Sequence, residues 1–469
     1  MMRLSILCLA FLVSANTLAI PEAVILGATL IDGTGGKPFH NSVVIIKEGR
    51  IQSVGGPDTP YSKDSEIIQA EGKYIIPGIM DANVHLFIQI SIYGLSHYEG
   101  RYEDPIAEAA QIALKNGVTT VFDSWGPRQP LINIRKKIAS GEIQGSRVYL
   151  AGNIVGYGGP LSHDFLPGAK AIVSKPFYER VNEIWEQGVG PELLWMPAEE
   201  VSLKIRDYTK KDIDFIKYGA SGHAFKETQF ITFSPDAQSA IVNEGHKAGL
   251  TVQTHTTSVE SLNMAIQAGV DLLQHCDITG PVPMPDSTIK MLDKHQSHCG
   301  IFPITERRMQ WLLSAITNEE VKLDFQTRDI NQRKLIQSGS RLVLSTDGVV
   351  LVGVDSGEGM PDDAAAFFGN IDRLTDLGQG HFYWLEAVIE KGMAPMAALQ
   401  AATANVAEAY GLLDEMGTVE AGKVADLLIL NSNPLEDPKN YRDIHLIMQK
   451  GVVIDRDKLP ENPVITGSP

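Results

Sequence analysis

Short apolar runs bounded by polar or turn residues recur along the middle of this chain. They are Gly78–Phe87, Val118–Ser124, Val148–Asn153, Phe215–Ser221, Thr251–Thr257, Leu272–Asp277, Gly300–Thr305 and Leu342–Gly348. Segments with helical spacing lie between them, among them Asp104–Asn116 and Ser258–Ala268, and Gly117 and Gly269 stand where left-handed C-caps are expected. Strands alternating with helices predict βα units and a parallel sheet. Eight such strands match the number a closed barrel requires. An open doubly wound sheet is the other α/β arrangement this alternation allows.

The flanks have a different texture. Residues 22–77 read AVILGATLID, GTGG and SVVIIKEGRIQSVGG, and residues 412–469 contain GTVEAGKVADLLILNSNP and IHLIMQKGVVIDR. Alternation with Gly punctuation predicts small antiparallel sheets. The expected organisation is a (β/α)8 barrel over 78–411, beside a composite β-sandwich built from 20–77 and 412–469. The long stretch Tyr157–Tyr208, rich in Gly, Pro and aromatics, is read as a cap over the barrel mouth.

Composition narrows the partners. The chain has 469 residues, 43% of them hydrophobic, which is ample for a core. A net charge of −17 disfavours a nucleic-acid footprint. The start, MMRLSILCLAFLVSANTLAIPEA, has a positive residue, a short apolar core and small residues ending at Ala19. That pattern predicts a secretory signal over 1–19 and a periplasmic or secreted protein. Cys276 and Cys299 remain after it, and both are expected to be buried thiols in neighbouring strands. A homo-oligomer acting on a small molecule is expected, with no membrane association once the signal is removed.

Chemistry-bearing residues stand at the ends of the strand-like runs. Lys217 lies in DFIKYGAS, His255 in LTVQTHTTS, His275 in DLLQHCD and Asp347 in RLVLSTDG. PGIMDANVHLF adds Asn83 and His85, two apart and therefore on one face of a strand. A single His in an apolar strand is usually a core residue. A Lys inside an apolar run is rarer, because buried Lys is uncommon unless paired or modified. The ordered set suggests a metal site at the carboxyl end of a parallel barrel.

This order, with the phrases GATLIDGTGG, YIIPGIMDA and EAGKVADLLIL, resembles the amidohydrolase superfamily. FIKYGASGHAF, GNIVGYGGPLSHDF and THTTSVESLNMAIQAGVDLLQHCD are similar to its prolidase and dipeptidase branch. The resemblance implies metal ligation by His85, Lys217, His255, His275 and Asp347. It also implies zinc or another divalent metal, one or two ions, with Lys217 carbamylated as a bridging ligand. Asn83 occupies the place of the first His of the family's His-x-His pair. An amide is a weaker zinc ligand than imidazole, so one metal, two metals or a non-catalytic binding homologue all remain open. The implied reaction is hydrolysis of an amide-like carbon–nitrogen bond, as in a dipeptide or N-acyl compound, by metal-activated water with Asp347 as general base and acid. An esterase or lactonase would use the same site. Thr256, Thr257 and Ser258 follow His255 where a deaminase usually places Glu. His163, Tyr218, His223 and Arg307 are further candidates for substrate contact.

Overall fold

The computed structural model describes residues 22–87, 92–222, 230–350 and 371–462. Residues 1–19 and His223 lie outside them.

Two parallel sheets carry the middle of the chain. One has six strands, in the order Leu342–Leu344, His298–Ile301, Leu272–Gln274, Thr251–His255, Phe215–Gly219, Ile154–Val155. The other has four, in the order Gly348–Val349, Ile79–His85, Val118–Asp123, Arg147–Leu150. Hydrogen bonds cross between them on both sides. Asp214 N–H donates to the Leu150 carbonyl at 2.9 Å, and Asp347 N–H to the Asn83 carbonyl at 2.9 Å. Helices join successive strands, giving a mixed α/β molecule. Their boundaries follow local chemistry. Ser258 caps the Val259–Ala268 helix by accepting the Ser261 N–H at 3.1 Å, and Ser261 returns a bond to the Ser258 N–H. That helix ends at Gly269, whose φ of 86° suits glycine.

The end segments share one sheet. Tyr74–Pro77 pairs antiparallel with Leu427–Leu430, which pairs with Ile444–Gln449. Ala23–Leu30 pairs antiparallel with Phe39–Lys47 but parallel with Glu66–Gln69 and Tyr74–Pro77. The sheet is therefore mixed rather than purely antiparallel, because the chain crosses over before returning beside its first strand. Arg147 of the four-stranded sheet meets Asp426 of the mixed sheet at 2.8 Å.

Two expectations are corrected. The run expected to begin at Gly300 pairs earlier, over His298–Ile301. Cys276 and Cys299 are joined as a disulfide rather than left as thiols. Cys299 sits opposite Leu273 in the parallel pairing. The chain turns at His275 (φ 60°), bringing the two cysteine Cα atoms to 6.0 Å, within bridging range.

The 157–208 stretch folds into helices Ala169–Ile172, Lys175–Glu186 and Ala198–Tyr208 with a 3-10 turn at Pro191–Trp195. Its Trp185 is fully buried and packs near Phe87, Tyr102 and Trp125. No helix of the described residues is long and apolar enough to cross a membrane.

Candidate active site

The carboxyl ends of the parallel strands bring five of the expected residues together, four of them, Asn83, His85, Lys217 and Asp347, in one hydrogen-bonded cluster with His275 beside it. Asn83 is its hinge. Its Oδ1 accepts from Lys217 Nζ at 3.0 Å, and its Nδ2 donates to Asp347 Oδ1 at 2.7 Å. Only this orientation of the amide serves an ammonium donor and a carboxylate acceptor together. Asp347 Oδ1 also lies 3.1 Å from His85 Nε2 and 4.0 Å from His275 Nε2. The sixth residue, His255, joins edge to face with His275, ring centroids 4.9 Å apart. Asn83, His85, Lys217, His255 and His275 are buried, and the Asp347 side chain, 31% exposed, opens the cluster toward solvent.

Backbone geometry aims two of them. Gln274 reaches the Ala82 carbonyl with its Nε2, so strand alternation would turn the next residue away. His275 is redirected by its left-handed φ of 60°. Asp347 is left-handed as well, at φ 54°. Non-glycine residues seldom adopt this region, and such outliers gather at functional sites.

Sequence reasoning missed the groups that hold these side chains. His85 Nδ1 donates to the Trp125 carbonyl at 3.3 Å, which points Nε2 at the cluster. Asp123 accepts the Leu86 N–H at 2.7 Å and fixes the bend after His85. Asp81 accepts from Thr346 N–H at 3.1 Å and Thr346 Oγ1 at 2.5 Å, tying the Asp347 turn to the Asn83 strand. The only signals were an acid at the end of VTTVFD and another two residues before Asn83.

Electrostatics separates the carboxylates. Burial would raise Asp347, but His275, His85 and Lys217 together hold it well below the usual range, and so ionised. Burial pushes Asp81 up to about 7 and Asp123 up to about 6, the latter against the pull of His85 and Lys217. Burial lowers Lys217 to about 8, with Asp347 and Asp123 opposing. It also lowers His275 to about 4, and Asp347 only partly offsets this. A neutral imidazole is the ligand form.

The remaining candidates fall elsewhere. Tyr218 follows Lys217 on its strand and faces the opposite side, where its hydroxyl donates to Gln238 at 2.9 Å. Arg307 turns outward and binds Asp372, with Nε 2.9 Å from Oδ2. His163 is exposed on the loop after Ile154–Val155. Its neighbour Phe165 does reach the site, stacking on Trp125 at 3.9 Å. Three imidazoles each meet an aromatic ring: His85 with Trp125 at 6.4 Å, His255 with Tyr157 at 6.1 Å, and His275 with Phe302 at 6.0 Å.

Among the described residues, no three His, Cys, Asp or Glu side chains form a ready metal cage. The donor atoms contact one another instead, through the Asp347 bonds to Asn83 and His85. Their chemistry, two or three imidazoles, a carboxylate and an amide oxygen, is nonetheless that of a divalent-metal site.

Residues 74–455 match the amidohydrolase family. The chain belongs to the amidohydrolase family. Among its relatives, the ochratoxinase of Aspergillus niger is 26% identical over 450 residues, covering 92% of this chain and 86% of that protein. A molinate hydrolase structure superposes with a TM-score of 0.86 at 36% identity, covering 96% of this chain and 98% of that one. Phenylurea hydrolase B gives a TM-score of 0.87 at 33% identity, covering 96% and 100%. Xaa-Pro dipeptidase and prolidase structures share the fold at lower identity. This amidohydrolase is thus a hydrolase acting on carbon–nitrogen bonds, in a family that generally uses divalent metals, which removes the non-catalytic homologue.

Proposed function

We propose that this amidohydrolase is a metal-dependent enzyme that hydrolyses an amide-like bond in a small molecule with an apolar or aromatic body. The observation that carries the reading is the convergence of buried Asn83, His85, Lys217 and His275 around the Asp347 carboxylate and the Asn83 amide. The two parallel sheets are read as one (β/α)8 barrel, closed where Leu150 meets Asp214 and where Asn83 meets Asp347. That would put the cluster at the barrel's carboxyl face, where such folds carry their chemistry.

His85, His255, His275 and Asp347 would hold the metal, zinc or another divalent ion, with Lys217 as its carbamate and Asn83 as a neutral oxygen donor. A bound divalent metal lowers the pKa of water toward neutrality and polarises the scissile carbonyl. Asp347, held as a carboxylate, takes the proton of the attacking water and returns it to the leaving nitrogen. Trp125, Tyr157 and Phe302 give the imidazoles a buried aromatic surround, and Phe165, stacked on Trp125, is the partly exposed ring of the set, which favours a substrate with an apolar or aromatic body. The resemblance to phenylurea hydrolase B and molinate hydrolase supports this class over a free dipeptide. The Cys276–Cys299 bridge supports export, since disulfides persist in oxidising compartments.

The test is turnover of phenylureas, N-acyl anilides, aryl esters and dipeptides before and after chelation. The expected outcome is aryl amide or urea hydrolysis that disappears with the metal and returns with zinc or manganese. Asp347→Asn should lower kcat by roughly 10²–10⁴-fold. Chelation-insensitive turnover, or Lys217→Arg with full metal content and activity, would refute the assignment.

A further inference from the structure

Beyond Phe302, which packs against the His275 ring, lies a small cavity whose charged lining, among the described residues, is all of one sign. Arg308, Arg328 and Arg373 border it, with Phe302, Phe325 and Leu374 among its apolar walls, and no carboxylate among the described residues lines it. Its volume is about 10 Å³, the room of a single small ion or water. Arg328 decides the matter. It is 6% exposed, and its Nε and Nη1 have no hydrogen-bond partner. Its guanidinium rests over Phe325 at 5.0 Å and over Phe302 at 5.9 Å. Guanidinium stays charged in proteins, and a buried charge without hydrogen bonds is costly.

Nearby acids do not supply those bonds. Asp277 spends Oδ1 on the Phe302 N–H at 3.0 Å and Oδ2 on Gln332 at 2.6 Å. Asp372 is held by Thr305 at 2.8 Å and by Arg307. Asp376 pairs with Arg373 at 3.4 Å, while the Arg373 Nε is itself unpartnered. Asp277, and after it Asp324 one helical turn before Arg328, act on the guanidinium through space without bonding Nε or Nη1. Arg308 donates to the Ile371 carbonyl.

We propose that this cavity binds one small monovalent anion, held by Arg328 with Arg308 and Arg373. Its source is either free chloride or the carboxylate end of a ligand entering past Phe302. The site does not depend on the catalytic reading, because two of its readouts need no turnover.

Crystals of the metal-loaded full chain soaked in bromide should show anomalous scattering in the cavity. In solution, replacing isethionate by chloride at constant ionic strength should raise the melting temperature of the wild type by roughly 2–4 °C. Arg328→Met, which fills similar space without charge, should abolish that difference. If chloride also raises KM for carboxylate-bearing amides and leaves neutral ones unchanged, the site serves the substrate. Unchanged KM for both, with the thermal shift retained, assigns it to the free ion. An empty cavity in the bromide crystals, together with equal chloride responses in wild type and Arg328→Met, overturns the proposal.

Discussion

By resemblance Asn83 stands where an imidazole is the usual family ligand, and its amide joins Lys217 to Asp347. An amide carries two N–H donors beside its carbonyl oxygen, whereas neutral imidazole offers one donor and one acceptor on opposite edges of a rigid ring. It cannot span Lys217 and Asp347 as the short Asn83 side chain does at 3.0 and 2.7 Å. Asn83→His should therefore exchange two hydrogen bonds for a stronger zinc ligand. Zinc retained after dialysis, measured by elemental analysis, should rise from about one toward about two per chain, while kcat stays level or falls. Unchanged stoichiometry would mean that Asn83 already completes a two-metal centre. The principal residues were legible because Lys and His are conspicuous inside apolar strands. Asp81 and Asp123 were not, since a single acid near a strand end reads as an ordinary cap. Tyr218 faces Gln238 instead of the cluster because neighbouring residues of a strand point to opposite sides. The aim of His275 was unreadable, as nothing in LLQHCD announces a left-handed residue.

At the scale of elements, the central runs were visible because short strands buried on both faces are continuously apolar. Phe215–Gly219 and Thr251–His255 fall inside their expected spans. The His298–Ile301 strand was displaced because its first residue is polar, although its ring is packed beside Glu408. Parallel pairing of Ala23–Leu30 was hidden, since local alternation does not say which strand comes alongside. The helix Gly380–Glu390 carries a further element whose consequence depends on pH. Its buried His381 bonds the Asn116 carbonyl through Nε2 at 3.0 Å. Burial first, then the Arg442 charge, lowers its pKa to about 3. In the unfolded chain it titrates near 6.5. Its contribution is thus complete above about 6.5 and is lost as pH falls toward 3. Between pH 7.5 and 5 the wild type should lose about 2 kcal/mol through this group alone. His381→Gln, which keeps a donor for Asn116, should flatten that part of the stability curve in urea titrations. An unchanged slope would remove His381 as the cause.

The whole molecule depends on how the mixed sheet is fastened to the parallel strands. Asp426 is the fastening point. Its carboxylate meets Arg147 at 2.8 Å and accepts the Lys450 N–H at 2.8 Å, and its carbonyl accepts the Gly78 N–H at 2.9 Å. Gly78 immediately precedes the strand that carries Asn83 and His85, so the tie acts on the backbone that sets the site. Asp426→Ala removes one partner of a largely buried pair and leaves the Arg147 charge without compensation. Such losses cost about 3 kcal/mol or more. All five tryptophans lie between Trp125 and Trp384, outside the mixed sheet, so their fluorescence follows the parallel region. Hydrogen exchange at Leu427–Leu430 follows the mixed sheet. If the two parts fold as one unit, Asp426→Ala lowers both midpoints together, and metal affinity falls with them. If the sheet is an independent unit, exchange at Leu427–Leu430 accelerates while the tryptophan transition stays in place. Coincident transitions are the expected result, because backbone and side-chain bonds of one residue join the sheet to the strand of the site.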